Sequence, residues 1–324
     1  MKTINEIQTL VNEFIANLPY ERQPHSLYEP VEYVLSAGGK RIRPMLMLLA
    51  YNLYKDNPES ILMTASGLET YHNYTLLHDD LMDRAEVRRG RQTVHIRWDD
   101  NTAILSGDSM LVLAYERIAQ CADDQLRAVL SCFTETALQI GEGQQYDMEF
   151  EHRDDVREEE YIEMIRLKTS VLLACALKIG AILAGASADD QESRYHFGEN
   201  IGLAFQLQDD YLDVYGDERV FGKAIGGDIC NNKKTFMLIN ALLKAEGDDK
   251  TALEKWISVN DFHNTEKILA VTNLYNKLGI DKLAQAKMEE YYAKAEQYLD
   301  AVAVDESRKA ILREYARNMM HRNS

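Results

Sequence analysis

Proline is missing from most of this 324-residue chain: Pro19, Pro24, Pro30, Pro44 and Pro58 are the five, and none follows. Nothing in the long remainder forces a helix to stop. Strand-like alternation of apolar and polar residues is also missing. Apolar residues instead recur at helical spacing, as in Leu105, Met110, Leu111, Leu113, Ala114 and Ile118, then Leu126, Val129, Leu130, Phe133, Ala137 and Ile140. The fold class predicted is all-α. No composition shift or low-complexity tract marks a boundary, so a single domain over residues 1–324 is expected.

Positive charge is in short supply, with 36 Lys and Arg against 53 Asp and Glu for a net charge of −17. That balance excludes a nucleic-acid footprint, which needs a basic surface. Cysteine is sparse. Cys121, Cys132, Cys175 and Cys230 have no CxxC or metal-finger spacing. Cys121 and Cys132 on one helix would be roughly 16 Å apart, too far for a disulfide. Reduced thiols and a cytoplasmic location are the expectation. A signal-peptide pattern is not seen, because Glu6 and Glu13 interrupt Ile4, Ile7, Leu10, Val11, Phe14, Ile15 and Leu18, which describe an amphipathic helix. The most apolar stretch, 171–185, contains Lys178 and falls short of the ~20 residues of a membrane span. No twelve-residue calcium loop of EF-hand spacing occurs either.

Two copies of one acidic signature are present: Asp79-Asp80-Leu81-Met82-Asp83 and Asp209-Asp210-Tyr211-Leu212-Asp213. On a helix, positions i and i+4 share a face, which stacks Asp79 on Asp83 and Asp209 on Asp213. Carboxylates so stacked repel unless a cation lies between them. Mg²⁺ suits this role, because it takes oxygen ligands and shares its shell with water and substrate phosphates. One such motif alone reads as a solvated helix face. Two, each embedded in apolar sequence, point to a diphosphate held across a helical cavity through metal ions.

Cations gather where a diphosphate needs them. Gly38-Gly39-Lys40-Arg41-Ile42-Arg43-Pro44 precedes an apolar helix over residues 45–54, and glycines beside a helix start allow close approach of an anion. Arg88-Arg89-Gly90 repeats the theme after the first acidic motif, with guanidinium groups suited to phosphate oxygens. His72 lies two helical turns before Asp79, and Lys168-Thr169-Ser170 enters the apolar segment 171–176. Loops are expected at 56–59, 85–92, 151–160, 186–192, 215–232 and 245–250. The 215–232 stretch is a candidate lid carrying Lys223, with Lys233 beside it.

These motifs, from GGKRIRP through QLQDDYLD to GKAIGGDICNNKKT, resemble the trans-type isoprenyl diphosphate synthases, or polyprenyl synthetases, over nearly the whole chain. The resemblance implies a single-domain helical bundle around a central cavity, usually a homodimer. It implies that Lys40, Arg43, His72 and Arg89 hold the diphosphate of isopentenyl diphosphate without metal. Asp79, Asp83 and Asp209 would ligate Mg²⁺, three ions in the family pattern with Mn²⁺ as a substitute, to grip an allylic diphosphate. Asp80, Gln144, Asp147, Asp210 and Asp213 would stand behind those ligands. Arg88, Lys168, Lys223 and Lys233 would touch the allylic diphosphate, while Thr169 and Gln206 face the allylic cation.

Two departures stand out. The candidate lid has one extra residue between Lys223 and Asp228, so Lys233 is placed by its NNKKT context. The basic C-terminal tail of some relatives is reduced to Arg317, His321 and Arg322. Tyr74, five residues before Asp79, is the expected floor of the product cavity, with Tyr71 a second floor and Thr75 a small neighbour. One helical turn of about 5.4 Å matches one isoprene unit, so a product of fifteen or twenty carbons is expected, with twenty favoured. A class I terpene cyclase would not need the isopentenyl cluster. A non-catalytic partner subunit of a heteromeric synthase would not need both Asp motifs.

Overall fold

The structure, a computed structural model, describes residues 1–217, 225–259 and 262–320. Contacts divide the chain into two compact units: Met1–Thr134 with Cys175–Arg194 and Val302–Leu312, and Glu135–Ala174 with Tyr195–Ala301 and Arg313–Ser324.

In the first unit the amphipathic N-terminal segment forms α1 (Ile4–Ala16), started by a capping box in which Thr3 and Glu6 satisfy each other's backbone amides. Helices α2 (His25–Ser36) and α3 (Ile42–Asn52) follow. Every α3 residue from Met45 to Asn52 is buried, which fits a sequence apolar on all sides. A short 3₁₀ turn at Pro58–Ile61 leads into α4 (Leu62–Met82), which packs against α6 (Asp100–Ile118) beyond the single turn α5 (Val94–Arg97). Val31, Leu35, Leu77, Val94, Ala103, Met110 and Leu113 form one core here. The sole sheet among the described residues is a two-residue ladder, β1 (Val87–Arg88) with β2 (Arg91–Gln92), pairing Val87 with Gln92 and Arg88 with Arg91. The all-α expectation holds, with this hairpin as an addition inside the expected 85–92 loop.

The second unit packs Phe150, Tyr161, Leu207, Phe236, Leu253, Tyr275 and Ile280 into its own core. These come from α7 (Asp123–Glu151), α8 (Glu158–Ile165), α10 (Ala188–Tyr215), α12 (Phe236–Lys244), α13 (Gly247–Ser258), α14 (Asn264–Leu278) and α15 (Ile280–Asp300). Helices α7, α9 (Val171–Ala184), α10 and α16 (Glu306–Met320) each contribute residues to both units. Several expected loops are shorter than the sequence suggested, because acidic residues start the next helix early: Glu158 in α8, Asp189 in α10 and Asp248 in α13. The described part of the expected lid, residues 215–217 and 225–232, includes one short turn, α11 (Gly227–Cys230), and the rest lies outside the described residues.

Helix continues through Glu158–Ala184, 27 residues long and apolar enough by composition to cross a membrane, so the expectation that this region falls short is corrected. However, 83% of its apolar window is buried inside the protein, as in a core helix. None of the four cysteines is in a disulfide; the Cys132 and Cys175 sulfurs lie 3.9 Å apart, a hydrogen-bond contact well beyond S–S bonding distance.

Candidate active site

Helix α4 carries the first acidic motif at its end. Asp79 and Asp80 are helical, and Asp83 is the C-cap, its amide donating to the Asp79 carbonyl at 2.9 Å. The expected i, i+4 relation thus survives at a helix terminus. The β1–β2 hairpin turns the chain back so that Arg88 Nε reaches both Asp80 oxygens, at 2.7 and 2.8 Å, while Nη2 lies 3.9 Å from Asp79 Oδ2. Asp80 is buried, and burial pushes its carboxyl upward against the opposing pull of Arg88.

Residues of the basic cluster lie around one cavity. Residues Ala37, Gly39, Lys40, Arg43, His72 and Arg89, with Arg41 and Glu69, line a cavity of about 380 Å³. Gly39 has φ 126°, where a side chain is strained, and a Cβ there would crowd the Arg89 guanidinium carbon at 3.0 Å. Arg89 has φ 52° and donates through Nη1 to the Gly38 carbonyl at 2.5 Å and to Asn73 Oδ1 at 3.2 Å. Arg43 Nη1 lies 3.1 Å from His72 Nε2. Because a guanidinium only donates, His72 Nε2 must accept and the ring is neutral. Burial, then the charges of Arg43, Arg89, Arg88 and Arg41, hold the imidazole well below its ordinary value of 6.5, in agreement.

Sequence reasoning left Glu69 and Asn73 unassigned. An acid inside the apolar run Leu68-Glu69-Thr70-Tyr71 was the available signal for the first. Arg41 belonged to the basic cluster in sequence, but its side chain is buried in an ion pair with Glu69 at 2.7 Å. Tyr71 is 3% exposed, its ring 5.4 Å from Tyr74 and 5.0 Å edge-on from Phe133. Tyr74 is half-buried and meets His78 edge-on at 4.8 Å.

The second unit builds the other polar set around a π-helical turn, Arg166–Ser170, which joins α8 to α9. Such turns widen a helix and re-aim side chains. Lys168 Nζ donates to Asp147 Oδ2 at 2.6 Å, with Gln144 half-buried one turn earlier on α7. Thr169 Oγ1 donates to Gln206 Oε1 at 3.3 Å, and Gln206 Nε2 donates to Asp210 Oδ1 at 3.3 Å. Tyr161, which the sequence did not reveal, donates its hydroxyl to Asp210 Oδ2. Burial and then the Asp228 charge push the Asp210 carboxyl up to about 7, and the same causes push Asp213 up to about 6.

Asp213 also has a structural task. Its Oδ2 accepts from the Asp228 amide at 3.0 Å, and its carbonyl accepts from the Gly226 amide at 2.7 Å, tying down the segment that leads to Lys233. Asp209 is half-buried on α10 and Lys233 is exposed. Lys223, His321 and Arg322 lie outside the described residues.

Among the described residues, no group of three Asp, Glu, His or Cys side chains converges on one point. Paired carboxylates leave most of a coordination shell to water and phosphate oxygens, which is the habit of Mg²⁺. Burial, and then the Asp228 charge, disfavour the ionised forms of Asp210 and Asp213, which a divalent cation nearby would favour. The donor set fits Mg²⁺.

Residues 24–275 match the polyprenyl synthetase family. A short chain isoprenyl diphosphate synthase of Methanothermobacter thermautotrophicus is 35% identical over 96% of this chain and 95% of its own length. A geranylgeranyl diphosphate synthase of Methanosarcina mazei is 44% identical over 70% of each chain. A geranylfarnesyl diphosphate synthase of Natronomonas pharaonis is 33% identical over 95% of this chain and 94% of its own. Among solved structures, a geranylgeranyl pyrophosphate synthase superposes with TM-score 0.93 at 40% identity, covering 100% of both chains. Another, from Corynebacterium glutamicum with isoprenyl diphosphate and magnesium bound, gives TM-score 0.85 at 26% identity, covering 99% of this chain and 98% of its own.

Proposed function

We propose, because this chain belongs to the polyprenyl synthetase family, that its basic cavity takes the diphosphate of isopentenyl diphosphate. The chain is a short-chain trans-prenyltransferase that condenses isopentenyl diphosphate head-to-tail with allylic diphosphates. The observation that carries the site assignment is the meeting of Lys40, Arg43, His72 and Arg89 around one cavity, with a neutral imidazole that leaves the positive charge on Arg and Lys.

In this reading Asp79, Asp83 and Asp209 ligate Mg²⁺, three ions with Mn²⁺ as a substitute, and Asp80, Gln144, Asp147, Asp210 and Asp213 support them. Bound Mg²⁺ would neutralise charge on the allylic diphosphate as its C–O bond breaks. Arg88, Lys168, Lys223 and Lys233 stabilise the same departing group where its charge develops. Lys168 leaves Asp147 and Arg88 leaves Asp79 when a phosphate oxygen replaces the carboxylate. Thr169 and Gln206 turn oxygens toward the allylic cation, and Lys40, Arg43, His72 and Arg89 hold the isopentenyl double bond in position to attack it. No side chain is assigned to the final proton, which passes to the released diphosphate.

Tyr74 is the floor of the product cavity, backed by Tyr71, and the product is geranylgeranyl diphosphate in preference to farnesyl diphosphate. The chain acts as one domain, since four helices run through both compact units. A homodimer completes the reading: Ile104, Leu105 and Val112 are 44%, 58% and 68% exposed along one side of α6, an apolar strip suited to a second copy. The free thiols suit the cytoplasm.

The test is a Mg²⁺-dependent incubation with dimethylallyl diphosphate and labelled isopentenyl diphosphate, followed by chromatography of the dephosphorylated product. One linear twenty-carbon alcohol is expected. A fifteen- or twenty-five-carbon product would overturn the length assignment, and no incorporation with any primer would overturn the site.

A further inference from the structure

Among the cations of the basic cavity sits one buried acid. Glu69 is 2% exposed and pairs with Arg41, Nη1 to Oε1, at 2.7 Å. Arg41 in turn donates through Nη2 to the Leu35 carbonyl at 2.6 Å. The same Glu69 Oε1 accepts from Asn73 Nδ2 at 3.0 Å, and that nitrogen also donates to the Glu69 carbonyl at 2.8 Å. Asn73 is fully buried. With both amide hydrogens committed to Glu69, its Oδ1 faces the other way and accepts from Arg89 Nη1 at 3.2 Å. A chain of directed bonds therefore runs from the buried Arg41–Glu69 pair through one amide to a guanidinium on the cavity wall.

Both arginines at the ends of this chain hold left-handed backbone, Arg41 at φ 48° and Arg89 at φ 52°. Residues other than glycine rarely adopt that region, and it persists where surrounding bonds over-determine it. The guanidinium of Arg89 lies over Gly39, where a Cβ would come within 3.0 Å of its central carbon, so the glycine leaves it the space that it occupies. An arginine left to itself would lose considerable rotamer freedom on binding a phosphate, and pre-orientation removes part of that cost.

We infer that Asn73 is a positioning residue for isopentenyl diphosphate, holding the Arg89 guanidinium in its binding orientation with Glu69 as its anchor. This rests on the assignment of the basic cavity to that diphosphate. The carboxamide is the side chain the task needs: it donates to a carboxylate on one side and accepts from a guanidinium on the other. Leucine has the same size and can do neither.

The experiment measures steady-state kinetics with each substrate varied in turn, in Arg89→Ala, Asn73→Leu and Asn73→Ser. The serine variant runs beside the leucine because an apolar group next to the buried Glu69 carboxylate is the harder fold, and circular dichroism monitors both. Arg89→Ala is expected to raise KM for isopentenyl diphosphate; an unchanged KM there would overturn the cavity assignment itself. Asn73→Leu and Asn73→Ser are expected to raise that KM about tenfold, with kcat and the allylic KM within about twofold of wild type, a loss of binding shared equally by the ground and transition states. With Arg89→Ala behaving as expected, an unchanged isopentenyl KM in folded Asn73→Leu or Asn73→Ser would overturn the positioning role. So would an equal rise in both KM values.

Discussion

Single side chains decide most of what this site can do. Asp79 and Asp209 each lead an acidic motif, so Asp79→Ala or Asp209→Ala should lower turnover at least about a thousandfold, an effect of about 4 kcal/mol on the barrier. Circular dichroism should show the helices intact, and near-wild-type rates in either variant would remove its metal role. Tyr74 is half-buried between Tyr71 and His78. Truncating it in Tyr74→Ala should lengthen the product by at least one isoprene unit on chromatography. His72 sets a pH dependence whose sign is fixed. Its folded value lies well below 6.5, so the unfolded chain takes up a proton that the folded chain refuses. Stability is therefore present above the unfolded value and is lost as pH falls below it, by up to about 1.4 kcal/mol per pH unit. Thermal melts from pH 8 to pH 5 should show wild type losing ground to His72→Asn below about pH 6.5; parallel curves would contradict the neutral, enclosed imidazole.

At the scale of elements, the π-helical turn at Arg166–Ser170 joins two helices that carry very different burdens, the amphipathic α8 and the buried α9. It is held by close backbone approach. A Cβ on Gly143 would come within 2.3 Å of the Lys168 nitrogen and 2.8 Å of the Leu167 carbonyl carbon. Those are backbone atoms and cannot swing aside. Gly143→Ala should therefore push α7 off the turn, destabilise the protein by about 1–3 kcal/mol, and lower kcat through displaced Lys168. Denaturant titration and initial rates measure the two effects separately. The hairpin β1–β2 acts in a similar way on the other acidic motif, since its short ladder returns Arg88 to Asp80. Neither device was legible in the sequence. The π turn has ordinary helical composition, and a two-residue ladder is too short to show alternation.

For the whole molecule, the net charge of −17 is at odds with its anionic substrates. Local cations and bound metal must overcome that field. Inorganic diphosphate with Mg²⁺ should raise the melting temperature more than diphosphate alone, which has only the basic cavity, and far more than Mg²⁺ alone, because at the paired carboxylates each needs the other. At a hundred times Kd, the stabilisation expected from mass action is about 2.7 kcal/mol. Differential scanning fluorimetry with the four combinations of the two additions measures it, and an equal shift with diphosphate alone would deny the metal its part.

Periodicity and motif spacing determined the helical class and the identity of the charged groups, because both are properties of neighbours along the chain. The absence of late prolines, the two DDxxD copies and the GGKRIRP run are read without folding anything. Only the tertiary structure decided how those groups are engaged. Arg41, one of three adjacent cations in sequence, is buried against Glu69, while Arg43 meets His72. Asp213, equivalent to Asp83 in its motif, holds the Asp228 amide. Tyr161 and Asn73, with nothing in their local sequence to mark them, bond Asp210 and Arg89. The physical reason is one of range. Helix formation is governed by residues three and four apart, whereas the partner of a buried charge comes from wherever packing brings a complementary group, 28 residues away for Arg41 and 49 for Tyr161.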